Sequence, residues 1–219
     1  SLAASLGQLR RTFGETVQCL ASLTELRDPY TAGHQRRVAQ LAEAIAVRLD
    51  VGRGCVDGLR VAATLHDIGK MHVPAEILAR PGRLSDVEMA IIRQHPGTGH
   101  EILRSVAFPW PVADIVLQHH ERHDGSGYPH GLCGDDLLLE AQILAVADIV
   151  EAMSSHRPYR AAHGIEHALA HVQGLAGRSF RREITDACLQ VWQADGFAFT
   201  VPERIGTMPS SAGAASGPA

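Results

Sequence analysis

Apolar residues return every three or four positions along almost the whole of this chain, and that period decides what it can fold into. Leu9, Phe13, Val17 and Leu20 follow at steps of four, four and three, and Val38, Leu41, Ile45 and Leu49 at steps of three, four and four. A helix puts such positions on one face. Residues 57–68 form a third run, stopped by Gly69, and Pro74 suits the first turn of a short helix. Ser85 and Glu88 spell a capping box for a helix reaching about His95, where Pro96 follows. Residues 98–105, 111–121, 139–155, 164–175 and 182–194 continue the pattern. No alternating run bounded by turn residues argues for a strand. The expected fold is all-α, a bundle of about seven to nine helices.

Composition sets the outer limits. With 219 residues and 45% apolar content, the chain can bury one proper core. A net charge of −4 advertises no nucleic-acid polymer as partner. No run of 18 apolar residues provides a membrane segment. Cys19, Cys55, Cys133 and Cys188 are scattered, without a CxxC pair. Together with the absence of a secretory pattern, that suits reduced thiols and a cytoplasmic location. Residues 1–27 read as a long N-terminal helix. It serves equally as a core helix or as the end of a connector from an upstream sensor or receiver domain. Its apolar stripe serves equally for core packing or for a homodimer. Residues 28–205 read as the main folded domain, and the small, polar stretch 206–219 as a disordered tail.

Chemistry-bearing residues gather at helix ends. In 65-LHDIGK-70, His66 and Asp67 are adjacent, so on a helix they would diverge by about 100°. Both still reach one point if that point is a pair of metal ions, with the carboxylate bridging. The plainer alternative is a helix end with an Asp67–Lys70 salt bridge. Lys70 is the only lysine among 20 basic residues, which suggests a need for a compact ammonium. His119 and His120 end one expected helix and His95 another, and His34 stands in 31-TAGHQRRV-38. Asp148 interrupts the apolar run 143-ILAVADIVEAM-153, with Glu151 one turn on. A buried carboxylate needs a partner, either a cation in the core or an arginine. The set is imidazole and carboxylate without thiolate, which suits Fe or Mn in an open site, with Zn, Ni and Mg as further choices.

These motifs carry a resemblance. His66-Asp67 with Gly69-Lys70, then His119-His120-Glu121-Arg122 and Asp124-Gly125-x-Gly127-Tyr128-Pro129, are similar to the HD-GYP family, a branch of the HD-domain metal-dependent phosphohydrolases. The match extends over roughly residues 28–195, through 28-DPYTAGH-34, 73-VPAEIL-78, 81-PGRLS-85, His95-Pro96 and 157-RPYR-160. The resemblance implies an HD-domain-like helical bundle and hydrolysis of cyclic di-GMP to pGpG, in some members on to GMP, by hydroxide attack on phosphorus. It implies two divalent metal ions on His66, Asp67, His95, His119, His120 and Asp148, with Asp67 bridging and His34 as a further ligand or a supporting donor. It places Lys70 beside the attacked phosphate, Gly127, Tyr128 and Pro129 against the substrate, and Arg157 and Arg160 on phosphates.

The chain also departs from the family pattern. Three-metal members carry Glu four residues before the histidine that matches His34, and here that position is Tyr30. This argues for two ions and for pGpG as the end product. Glu151 stands where many members have Asp, and Gln142 where Arg is common. Two other readings remain at this point: a module that binds cyclic di-GMP or pGpG with little turnover, and an HD phosphohydrolase for another nucleotide.

Overall fold

The apolar faces meet around a single core. The computed structural model describes residues 2–28, 33–155 and 164–200. The helices are α1 (Leu2–Arg27), α2 (His34–Arg48), α3 (Arg53–Leu65), α4 (Ala75–Leu78), α5 (Asp86–Ile92), α6 (His95–Leu103), α7 (Val112–Gln118), α8 (Leu139–Ser154), α9 (Ile165–Gly174) and α10 (Arg182–Gln193). Short 3-10 turns occupy Ile68–His72 and Gly134–Asp136. The only extended pairings among the described residues are isolated bridges, Asp124 with Cys133 and Ala176 with Phe180. The architecture is thus the all-α bundle that the periodicity predicts; among the described residues nine helices remain once the single-turn α4 is set aside.

Helix α2 lies at the centre, packed on α3, α8 and α10. Its Val38, Leu41 and Ile45 are fully buried against Leu59 of α3, Ile143, Leu144 and Val146 of α8 and Ile184 of α10. Each such side chain contributes about 1.5–3 kcal/mol relative to exposure. Helix α8 is buried on several sides, which is why a carboxylate in its middle demands a partner. The capping box of Ser85 and Glu88 forms as predicted at the start of α5.

Three details differ from expectation. Helix α3 stops at Leu65, because Asp67 takes φ −93° and ψ 4° and the chain tightens into the 3-10 turn. His95 does not end a helix. It opens α6, with Pro96 in the first turn, where a missing N–H costs nothing. The stripe Leu9, Phe13, Val17, Leu20 also divides. Val17 is 7% exposed and faces the bundle with Ala21 and Thr24, whereas Leu9 is 66% exposed and Phe13 and Leu20 are each 39% exposed. Residues Tyr30, Arg157 and Arg160, the expected boundary at 205 and the tail 206–219 lie outside the described residues.

Candidate metal centre

The break at Asp67 lets two adjacent side chains converge. His66 caps the end of α3 in helical geometry, while Asp67 sits in the bridge region of backbone space. The turn that follows packs directly on α6. A Cβ on Gly69 would fall 1.9 Å from the His95 carbonyl oxygen and 2.6 Å from the Gly99 nitrogen. Only glycine lets the turn come this close, so Gly69 brings Asp67 to His95. In the sequence Gly69 is a helix stop; its contact with α6 is invisible in one dimension.

Three histidines share one anchoring device. The Nδ1 of His66 donates to the Ala63 carbonyl at 2.7 Å, His95 to Ile92 at 2.7 Å and His119 to Val116 at 2.6 Å. In each case the acceptor lies three residues back, at the end of a helix where carbonyls lack intrahelical partners. A carbonyl only accepts, so Nδ1 carries the proton and Nε2 keeps its lone pair. That orientation is the one a metal ligand requires.

Two trios of side chains that could hold an ion result. One is His95, His119 and His120, the other His34, His66 and Asp148, and within each trio the ligand atoms lie within 4.8 Å of one another. A third set, His66, Asp67 and His119, links them. The Asp67 Oδ2 is 3.5 Å from His66 Nε2, and its Oδ1 is 3.5 Å from His95 Nε2. One carboxylate thus offers an oxygen to each trio. The Lys70 Nζ lies 2.7 Å from Asp67 Oδ2 and 3.7 Å from Asp28 Oδ2.

The donor chemistry fits a cation. His95 Nε2 and His119 Nε2 stand 3.2 Å apart, although both Nδ1 protons are committed to carbonyls. Two lone pairs facing at that distance repel unless a positive charge lies between them. A proton does not fill the role, because burial pushes His95 down to about 4, His120 down to about 3 and His119 well below the usual imidazole range. Burial opposes charge on Asp67 as well, but Lys70 and then His66, His95 and His34 hold it well below the usual carboxylate range. Asp148 is held low by His34 in the same way.

His34 joins the set through a distinct support. Its Nε2 is 3.2 Å from Asp148 Oδ1, and its Nδ1 makes a short hydrogen bond to Glu151 Oε2. Burial would lower His34, but Asp148 and Glu151 push it up to about 9. Glu151 is buried and also accepts from Arg37 Nε at 2.6 Å and from Ser155 Oγ at 2.6 Å. Glu151, which stands where many members of the family have Asp, is therefore the residue that orients His34.

The glycine-rich loop folds back on the histidine pair. A Cβ on Gly127 would lie 2.4 Å from Glu121 Cα and 2.5 Å from His120 O, so this glycine packs on its own backbone. Tyr128 stacks on His120 with ring centroids 4.7 Å apart and an interplanar angle of 26°, and Pro129 follows it, exposed. Glu121 Oε1 accepts from the His130 N–H at 2.7 Å, and Asp124 accepts from Ser126 and from Ser179. The Arg93 guanidinium, unmarked in the sequence, lies 5.4 Å from the Tyr128 ring centroid. A separate groove of about 950 Å³ between α1, α2 and α3, lined by Val17, Val56 and Trp110, contains none of these side chains. The convergent donors, not the groove volume, mark the chemistry.

Comparison with known proteins bears on this geometry. The model of the HD domain family matches residues 18–184. The cyclic di-GMP phosphodiesterase response regulator RpfG of Xanthomonas campestris is 39% identical over 191 residues, 86% of this chain and 50% of that protein. A cyclic di-GMP phosphodiesterase of Thermotoga maritima is 38% identical over 81% of this chain and 49% of its own length. A 3'3'-cGAMP-specific phosphodiesterase 3 of Vibrio cholerae is 40% identical over 70% of this chain and 34% of its own. The chain spans about half the length of the first two. Among solved structures, the cyclic GMP-AMP phosphodiesterase V-cGAP3 of V. cholerae superposes with a TM-score of 0.62 at 17% identity, over 81% of this chain and 49% of that one. Bd1817, an HDG"Y"P protein of Bdellovibrio bacteriovorus, superposes with a TM-score of 0.60 at 21% identity, over 73% of this chain and 51% of that one. At such identity these two structures speak to the fold alone.

Proposed function

The chain belongs to the HD-domain family, in its HD-GYP branch, and we propose that it is a metal-dependent phosphodiesterase that hydrolyses cyclic di-GMP to linear pGpG. The observation that carries this is the position of Asp67, with one oxygen 3.5 Å from an imidazole of each trio. His34, His66 and Asp148 would hold one divalent ion, and His95, His119 and His120 the other, with Asp67 between them. Fe or Mn suits nitrogen and oxygen donors of this kind. Two such ions supply Lewis acidity toward a phosphodiester and make water nucleophilic at neutral pH.

The protein's own groups do the rest. The three Nδ1 anchors hold the imidazoles in register, so little is spent on reorganisation when substrate arrives. Lys70 sets a positive charge beside Asp67, where it draws an anionic phosphate and balances the charge that builds on its oxygens. Tyr128, held by its stack on His120, offers a ring at the rim for a nucleobase. Arg157 and Arg160 are assigned to the phosphates by their place in 157-RPYR-160. Tyr30, in place of the carboxylate of three-metal members, supports two ions and pGpG as the product.

The names of the relatives support a cyclic dinucleotide as substrate class. A panel of cyclic di-GMP and 3'3'-cGAMP, with metal-loaded protein and products resolved by chromatography, tests the choice. Preferential cleavage of cyclic di-GMP is expected; preference for 3'3'-cGAMP would reassign the base specificity.

Residues 28–205 form the catalytic domain in this reading, and α1 links it to an upstream sensor or receiver domain. Helix α1 also pairs with a second copy. Leu2, Leu6, Leu9, Phe13, Thr16, Leu20 and Leu23 alternate at steps of four and three, and all are exposed. That is the seam of a two-stranded coiled coil. No helix among the described residues is long and apolar enough to cross a membrane.

A further inference from the structure

We infer that Arg93 binds the second, uncut phosphodiester of the cyclic dinucleotide. This rests on the function proposed above and adds a specificity residue to it. A cyclic dinucleotide carries two phosphodiesters in one ring. When one lies at the metal pair beside Lys70, the other needs a cation some ångströms away, toward the mouth of the site. Arg93 stands there. It caps the C-terminus of α5, is exposed, and holds its guanidinium 5.4 Å from the centroid of Tyr128. Tyr128 stacks on His120, and His120 lies 5.0 Å, ring to ring, from His95. Arg93, Tyr128 and His120 therefore lead from solvent to the candidate ions.

Several of the other described arginines are already occupied. Arg80 pairs with Glu88, Arg104 with Glu101, and Arg122 donates to the Glu121 carbonyl. Among the described residues Arg93 pairs with no carboxylate, and its guanidinium donates no hydrogen bond. A guanidinium seated over the Tyr128 ring, with no hydrogen-bond partner among the described residues and beside the site of a dianion, matches the two free oxygens of a phosphodiester. Its backbone is also fixed relative to the site. The Arg93 N–H donates to Met89 O at 2.9 Å, and two residues on, His95 is anchored to Ile92 O at 2.7 Å. The sequence offers no sign of this, because Arg93 is one of many arginines and its neighbour Tyr128 is 35 positions away in the chain.

The test compares wild type with Arg93→Gln and Arg93→Lys, all loaded with Mn(II). Four quantities are read: metal content, equilibrium binding of pGpG by calorimetry, steady-state hydrolysis of cyclic di-GMP, and hydrolysis of bis(p-nitrophenyl) phosphate, which has only one phosphodiester. The uncut phosphodiester survives in pGpG, so Arg93→Gln should weaken pGpG binding and raise KM for cyclic di-GMP by roughly tenfold, the size of one lost charge-assisted contact. Metal content, kcat and the bis(p-nitrophenyl) phosphate rate should hold, and Arg93→Lys should recover part of the affinity. Unchanged pGpG affinity in Arg93→Gln would overturn the assignment. So would an equal loss on bis(p-nitrophenyl) phosphate, which would mean that Arg93 acts only through Tyr128 and His120. Wild-type protein that cleaves bis(p-nitrophenyl) phosphate but neither binds pGpG nor cleaves cyclic di-GMP would refute the substrate reading itself, and this inference with it.

Discussion

A carbonyl in the last turn of a helix has no partner within it, and His66, His95 and His119 each take one up through Nδ1. The same bond that finishes the helix aims Nε2 inward, so ligand placement and helix termination are one feature. Glu151 plays the carbonyl's part for His34, with a charge in addition. Glu151→Ala should weaken metal binding by about 10–100-fold, the usual effect of losing a group that orients a ligand; competition against a chelating dye measures it, and unchanged affinity would remove Glu151 from that role. Gly127→Ala should cost roughly 1–3 kcal/mol of stability in urea unfolding, because the new methyl lands on the Glu121 backbone. Wild-type stability would show that the loop has room to give. At this scale the candidate ligands were legible, since histidines and acids at helix ends stand out in an apolar pattern. Gly69, Gly127 and Arg93 were not, because their roles depend on which distant backbone or ring lies a few ångströms away.

Periodicity identified the helices but not what covers each face. Leu9, Phe13, Val17 and Leu20 look like one stripe in sequence, yet only Val17 is buried by the bundle. A seam at 3.5 residues drifts slowly against a helix of 3.6, so two stripes can run side by side on α1. One packs on α3 and the turn Ile68–His72, and the other is exposed. Arg27 ties the end of this helix to that turn by donating to Met71 O at 2.9 Å. The double variant Leu9→Asp, Leu20→Asp should convert a dimer into a monomer in light scattering. Its unfolding free energy should stay within about 0.5 kcal/mol of the wild-type monomer, as for exposed positions elsewhere. A dimer that survives both charges would show that copies pair through another surface. The helix boundaries that sequence misplaced, at Leu65 and His95, are those where the site bends the chain: Asp67 breaks α3 early, and Pro96 starts a helix instead of ending one.

Across the whole molecule, the candidate ligands come from the start of α2, the end of α3, the start of α6, the end of α7 and the middle of α8. Two ions held there would tie five segments that the unfolded chain cannot bring together, so metal would stabilise the fold by mass action. Free Mn(II) at 100 times its dissociation constant should add about 2.7 kcal/mol per occupied site over chelator-treated protein in thermal unfolding. An unfolding curve indifferent to metal would mean that the histidines close on one another without it. The all-α class was readable because the period holds over most of the chain. The pairing of the two trios was not, because nothing in one dimension says which helix ends face each other.

The most direct test is a chromatographic time course with cyclic di-GMP, using protein loaded anaerobically with Fe(II) or Mn(II), beside Asp67→Ala. The account predicts accumulation of pGpG by the wild type, and loss of bound metal and of turnover together in Asp67→Ala. Turnover that persists in Asp67→Ala, or a metal-loaded wild type that leaves cyclic di-GMP intact, would contradict it.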